Sequence, residues 1–250
     1  VAWMRGERGG AQVIDVRGEV EVRSAGGSEA LSPGMRVLPG MQVRSGADSS
    51  LTLEFPDGSR SLVGADTTFR VRRLERLRAS GAQQLELQLE RGHIENLVNP
   101  VRGGGRYIIH TPAAVAAVRG TDFRITAVRD GVRAETLEGE VALRNARGQT
   151  RLPAGRGSYA QRGKLPERAS ALLPAPELAG LPAVIDRVPF RIPIEPVAGA
   201  LRYRTQLSPA GGFTVLASDR SADEAAALGS GELPDGRYRV RVRAVDGRGL

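Results

Sequence analysis

The sequence contains no cysteine, which excludes disulfides, thiolate metal sites and cysteine nucleophiles together. An oxidising compartment is compatible with that absence but not required by it. Lysine is nearly missing too: Lys164 stands alone among 36 basic side chains. Arginine in place of lysine on this scale is more simply the mark of a GC-rich genome than of phosphate contact. Aromatic residues make up 4%, too few for base-stacking platforms. No apolar run approaches the roughly 20 residues that span a bilayer, and nothing resembles a signal peptide. The chain opens on Val1 and reads as a fragment or processed chain, with any targeting signal outside these residues.

The net charge is +8, but it is spread out. Residues 1–163 carry 24 basic and 18 acidic groups, and residues 164–250 carry 12 and 10. A nucleic-acid footprint is a concentrated stripe or tail, so nucleic acid is not an expected partner, and membrane insertion is not expected of these residues.

What is present is alternation. Val20 and Val22 alternate with Glu19, Glu21 and Arg23; Leu51, Leu53 and Phe55 with Thr52 and Glu54; Leu85, Leu87 and Leu89 with Glu86, Gln88 and Glu90. Phe123 and Ile125, then Val132 and Ala134, then Val141 and Leu143 continue the pattern. Period-two segments bounded by Asp-Gly, Pro-Gly and Glu-Gly predict half-buried antiparallel strands. Turns this close together leave little room for crossover helices, which argues against a parallel α/β sheet. Residues 111–117 read either as a capped helical turn, with Thr111 as N-cap and Pro112 first in the helix, or as a strand or bend. Gly120 close behind favours the strand or bend.

An internal repeat is visible. Residues 18–34 align without a gap on residues 139–155, with eight of 17 positions identical. Each copy reads as strand, Gly-containing turn, strand and closing Gly. Two copies bracketing the domain predict a pseudo-symmetric β architecture, as a sandwich or barrel or as a solenoid-like stack. Residues 91–95 form a weaker third relative. Between 164 and 183 Pro166, Pro174, Pro176 and Pro182 predict an extended linker. Beyond it, strands are expected over 187–194, 200–207, 213–217 and 237–245, with Pro234-Asp235-Gly236 turning into the last. Residues 223–228 read equally as helical turn or loop.

The segment Thr111-Pro112 through Val118-Arg119-Gly120-Thr121-Asp122-Phe123 resembles the central signature of FecR domains. Phe55-Pro56-Asp57-Gly58-Ser59 resembles their Phe-x-Asp-Gly-Ser turn. Residues 39–49 resemble their Gly-strand-Thr-Gly-x-x-Ser stretch, with Ser45 where threonine is commoner, and Gly139-Glu140-Val141 with Gly155 resembles their closing pieces. The resemblance spans roughly residues 12–162 in the family's order. Residues 195–204 and 236–246 resemble a fibronectin type III-like sandwich whose last strand is missing at Gly249-Leu250.

The resemblance implies one of two roles. Some FecR-domain proteins are inner-membrane anti-sigma regulators relaying signals from an outer-membrane transporter. Others are secreted or envelope proteins, often with a peptidoglycan-binding LysM module and fibronectin-like repeats. The fibronectin-like second region fits the second sort, although no LysM pattern is present.

Candidate chemistry is sparse. His93 and His110 have neither Cys neighbours nor His-x-x-x-His spacing, so no metal or other cofactor is expected. No Gly-x-Ser-x-Gly elbow occurs, and Gly103-Gly104-Gly105 precedes a strand rather than a helix, so it is not a phosphate loop. Paired carboxylates such as Glu135 with Glu138 and Glu140, or Asp57 with Asp66, would be the form of a glycosidase, but 28 acids produce such pairs by chance. In the resembling motif Arg119 reads as a planar donor fixing a strand crossing through carbonyls or Asp122. An anion or sugar contact is the sharper alternative. Thr111, Pro112, Val118, Gly120, Thr121, Phe123, Asp57, Gly58 and Gly139 read as structural members of the motif. Arg237, Arg239, Arg241 and Arg243 share one face of the final strand, as a solvated face that discourages edge pairing or as a surface for an acidic partner.

The expectation is therefore an all-β chain. A FecR-like domain with internal pseudo-repeat is expected over 1–163, a Pro-rich linker over 164–183 and a small, truncated sandwich over 184–250. Its expected role is a non-catalytic periplasmic or otherwise extracytoplasmic module engaging an envelope protein or cell-wall glycan. The alternatives are the periplasmic part of a FecR-type anti-sigma relay and, less favoured, a carbohydrate-processing enzyme.

Overall fold

The computed structural model describes all residues except 1–6, 79, 101–102, 119, 179, 181, 187–189, 210–212, 214, 223–225 and 229–232. Among the described residues there is no helix. The chain divides into two compact units, Val1–Ala171 and Leu172–Leu250.

In the first unit the strands are β1 (Glu7–Arg8), β2 (Ala11–Arg17), β3 (Val20–Ser24), β4 (Gly27–Ala30), β5 (Arg36–Val37) and β6 (Gln42–Ser45). They continue with β7 (Ser50–Glu54), β8 (Arg60–Val63), β9 (Thr68–Arg76), β10 (Gln83–Leu97), β11 (Arg106–His110) and β12 (Val115–Val118). The last are β13 (Asp122–Val128), β14 (Gly131–Glu138), β15 (Glu140–Asn145), β16 (Gly148–Pro153), β17 (Arg156–Gln161) and β18 (Ser170–Ala171).

These strands close into a flattened barrel of two sheets. The first sheet runs β4-β3-β6-β9-β10-β11-β12-β15-β16, with β1 also on β9. The second runs β5-β2-β7-β8-β10-β13-β14-β17-β18. Strand β10 belongs to both: its first half pairs with β9 and β11, and its second half with β8 and β13. Every pairing in the unit is antiparallel except β10–β11, which is parallel.

The alternating side chains explain why the sheets face each other. Leu51, Leu53, Leu85, Leu87, Leu89, Ile94, Phe123, Ile125, Val141 and Leu143 are all at 0% exposure in one continuous core. Each such side chain contributes roughly 1.5–3 kcal/mol through burial. Phe55, Tyr107 and Phe123 pack edge to face at 5.9–6.1 Å, the arrangement their ring quadrupoles favour.

The sequence repeat lands on the architecture. The hairpins β3–β4 and β15–β16 are its two copies, and they form opposite edges of the first sheet. The strands flanking each copy, β2 with β5 and β14 with β17, pair in the second sheet. The unit therefore has an approximate twofold arrangement about β10. Residues 111–114 form neither a helix nor a strand. The Thr111 hydroxyl donates to the Ala114 carbonyl at 2.7 Å and accepts from the Ala114 amide at 3.1 Å, a hydroxyl-closed turn leading into β12. That local bonding explains why a capped-helix pattern stops after one bend.

The second unit contains a three-stranded sheet, completed in its numbering by β19 (Arg191–Pro193), β20 (Arg202–Pro209), β21 (Ser218–Ala222), β22 (Ala226–Leu228) and β23 (Tyr238–Val245). The order is β21-β20-β23, and β19 pairs with β22 separately. Its core gathers Ile194, Tyr203, Val242 and Ala244, with Leu173, Leu178, Phe190, Val197 and Val240 against them. The strand expected at 213–217 lies later, at 218–222. Before it, the Ala217 amide donates to the Leu207 carbonyl, but the Val215 carbonyl accepts from the Ser208 hydroxyl rather than from a backbone amide, and regular pairing with β20 begins at Ser218. Of residues 223–228, Ala226–Leu228 is a strand and 223–225 lie outside the described residues. Ser170–Ala171 pairs with β17 in the first unit, and Leu173, Leu178 and the buried Pro176 belong to the second.

Candidate interaction face

The motif residues converge on strand crossings. Three corners of the first unit share a feature, a positive-φ glycine that packs closely where the chain turns from one sheet to the other, beside a hydroxyl residue that precedes another strand. At Gly18 (φ 70°) a Cβ would stand 2.5 Å from Ser49 Oγ, which accepts from the Glu19 amide at 3.0 Å. At Gly92 (φ 95°) a Cβ would overlap Thr67, whose Oγ1 accepts from the His93 amide at 3.0 Å. At Gly139 (φ 78°) a Cβ would stand 2.9 Å from the Gly120 carbonyl, and Thr121 Oγ1 donates to the Glu140 carbonyl at 3.3 Å. The residue before each hydroxyl has left-handed backbone: Asp48 (φ 51°), Asp66 (φ 51°) and Gly120 (φ 62°). Aspartate tolerates that region, but at 120 a Cβ would lie 2.5 Å from the Pro100 Cα, so only glycine fits.

Gly120, Thr121 and Gly139 thus meet at one corner, while Val118 and Phe123 flank it in the core. Asp57 and Gly58 form the β7–β8 turn. Asp57 Oδ1 accepts from the Ser59 amide at 2.9 Å, Gly58 has φ 80°, and Asn99 Nδ2 donates to the Asp57 carbonyl at 2.7 Å. Pro112 sits exposed in the Thr111 turn. None of these side chains lines an open cleft with the others. Arg119 lies outside the described residues.

The carboxylate pairs are not assembled. Glu135 and Glu140 lie on different sheets, and Asp57 and Asp66 flank opposite ends of β8. Glu135 instead belongs to a buried ionic row on the second sheet. Arg124 Nη1 donates to Glu135 Oε2 at 3.0 Å, and Arg124 Nε stands 3.7 Å from Glu95 Oε2. His93 lies against Glu95 at 3.3 Å and Thr126 at 2.7 Å. His110, on the first sheet, stands 3.5 Å from Glu86. Inside the barrel, Ser61 Oγ and Tyr107 Oη both donate to Asn96 Oδ1 at 2.7 Å. Burial raises the Tyr107 pKa well above 10.0, only partly opposed by the Ser61 hydrogen bond.

The arginine row of the second unit is not a uniformly solvated face. Arg237 and Arg239 are exposed. Arg241 is half-buried, donates through Nε to Gln206 Oε1 at 2.9 Å and covers the Phe213 ring at 4.6 Å. Arg243 is half-buried opposite Arg204, which is itself bonded to Asp219.

An open groove lies elsewhere, on the outer face of the first sheet over β11, β12, β15 and β16, with a volume of about 880 Å³. Strand register places Ile108, Ala117, Ala142 and Arg151 in one row across these strands. The next outward row is His110, Val115, Arg144 and Gln149, and Arg106 and Glu140 stand at the other end. Ile108, Val115, Ala117 and Ala142 are only half-buried, and the arginines are exposed. Sequence reading passed over this site. Its signal is Ile108, Val115, Ala117 and Ala142, apolar at strand positions where the alternation calls for polar residues.

Among comparisons with known proteins, residues 41–142 match the family model FecR protein. No curated protein matches the chain. Two crystal structures of a Parabacteroides distasonis protein, described as an anti-sigma factor, align with 17% identity and a TM-score of 0.43. The alignment covers 52% of this chain and 60% of theirs, so the chain spans less than two thirds of those relatives. The matched segment runs from β6 through β10 into β15, and the similarity to the FecR family applies to that segment.

Proposed function

We propose that the chain is a non-catalytic, extracytoplasmic signalling module of the bacterial envelope, acting as the receiving part of a FecR-type anti-sigma relay. The observation that supports this reading is the FecR match over residues 41–142, which takes in the central strand of both sheets. In such a relay the β domain contacts a protein partner on the outer side of the membrane and a separate segment holds the sigma factor. The relay is preferred to the wall-glycan scaffold because the family match falls on the first unit, whereas the scaffold rests on the second unit's likeness to fibronectin. That likeness is itself proposed here, from the β21-β20-β23 sheet and the Val197 amide bonded to Tyr203 Oη at 2.8 Å. Among the described residues no helix is long and apolar enough to cross a membrane.

The test is transcript profiling in the source bacterium with an in-frame deletion of residues 11–171 in the full-length gene. The relay reading expects one discrete sigma-dependent regulon to change. An unchanged transcriptome, together with salt-resistant sedimentation of the purified chain on insoluble peptidoglycan, would replace it with the scaffold reading.

A further inference from the structure

We infer that the groove over β11, β12, β15 and β16 binds an extended, acidic peptide segment of a partner protein. The inference rests on the reading of the chain as a binding module and names the chemistry of what it binds.

The floor, formed by Ile108, Ala117 and Ala142 with Val115 beside them, has no long side chain to fill it. Three strands at about 4.8 Å spacing make an apolar floor roughly 10 Å wide. An extended chain would reach that floor with every second side chain, about 6.8 Å apart. The outward rows of the sheet repeat at the same interval, so a ligand side chain seated on the Ile108, Ala117 and Ala142 row places the next inward-facing one beside Val115.

The rim sets the sign of the ligand. Arg106 stands on one side, and Arg144 and Arg151 on the other, against a single carboxylate, Glu140. Among the described residues none of these three guanidinium groups has a side-chain hydrogen bond or ion pair. The adjoining part of the same face differs. There Arg73 lies 3.6 Å from Glu86, His110 3.5 Å from Glu86, and Gln42 donates to Glu90 at 2.8 Å. Cations left without partners beside an apolar floor, next to a region where charges are matched, complement carboxylates that alternate with apolar side chains. Arginine's planar fork suits bidentate carboxylate contact. A bilayer surface is the poorer occupant, because a recessed floor of alanines presents nothing that could enter a lipid layer.

The test uses fluorescence anisotropy of labelled (Glu-Val)4 with the purified chain, alongside (Lys-Val)4 and phosphatidylglycerol vesicles. The expected result is saturable binding of (Glu-Val)4 alone, weakened at least tenfold in Arg144→Glu/Arg151→Glu and in Ala142→Trp, which fills the floor. Arg23→Glu/Arg220→Glu, which makes the same charge change elsewhere, should leave it within twofold. Circular dichroism melting establishes that each variant is folded. No saturable binding, equal loss in both charge-reversed pairs, retention in a folded Ala142→Trp, or preferential vesicle binding would each overturn the proposal. Transcript profiling of the groove variants separates the two readings. A relay that responds normally with the groove variants refutes the groove alone, and one indifferent to deletion of residues 11–171 refutes the relay.

Discussion

Gly92 and Thr67 are locked together where β10 passes from one sheet to the other. The glycine has no room for a Cβ over the threonine backbone, and the threonine hydroxyl holds the His93 amide at 3.0 Å. The same arrangement joins Gly18 to Ser49, whereas at Gly139 the Thr121 hydroxyl donates to the Glu140 carbonyl at 3.3 Å. The barrel's corners are thus fixed by close approach of backbone and one hydroxyl each, independent of the apolar core.

Gly92→Ala should destabilise the first unit by about 3 kcal/mol or more, combining left-handed strain of ~1–2 kcal/mol with the displacement of Thr67. Gly155→Ala has φ 74° but open space around its Cβ, so it should cost only the strain. Paired urea denaturation curves measure the difference; equal costs would mean that contact with Thr67 does not matter.

The left-handed positions before the hydroxyls should respond asymmetrically. Asp66→Gly should change stability by less than about 1 kcal/mol, because relieved strain is offset by a freer unfolded chain. Gly120→Asp should prevent folding or cost over about 3 kcal/mol, since its Cβ would meet Pro100. Thermal melts of both variants decide the matter.

Tyr107→Phe removes a buried donor to Asn96 and should cost about 1 kcal/mol at neutral pH. The folded-state pKa of Tyr107 is raised by burial, so its neutral form contributes fully below pH 10. As pH rises past 10 the unfolded phenol ionises first, and wild-type stability falls by up to ~1.4 kcal/mol per pH unit. The phenylalanine variant lacks this term, so the gap between the two proteins should narrow above pH 10. A constant gap from pH 8 to 11 would contradict the assignment.

Arg124→Ala should cost about 3–5 kcal/mol, because it leaves Glu95 and Glu135 buried without their shared cation. Arg124→Ala/Glu135→Leu should recover part of that loss. If the double variant is no more stable than the single one in chemical denaturation, the arginine's contribution is packing rather than charge.

Period-two alternation was enough to reveal an all-β chain, since inward positions such as Leu51, Leu53, Leu85 and Leu87 carry the core. The repeat at 18–34 and 139–155 pointed to pseudo-symmetry, because hairpins fix their own register locally. What alternation could not reveal was partnership. Nothing local in residues 83–97 shows that one strand serves both sheets, or that β11 lies parallel to it. The groove was hidden for a related reason. Ala117 and Ala142 are far apart in sequence, and only the β12–β15 register sets them side by side. The arginine row at 237–243 was legible as a face, but its cross-strand bonds to Gln206 depend on pairing with β20.

The sharing of β10 also imposes an order of assembly. Residues 11–76 supply one half of each sheet, and residues 106–161 the other. As the chain emerges during synthesis or export, the first half presents β8 and β9 as unpaired edges until residue 97 has followed. Such edges are the places where β proteins associate wrongly. The interval before β10 arrives is therefore when this chain most needs a chaperone, and stalling shortly before residue 83 should be the most aggregation-prone point of its biogenesis.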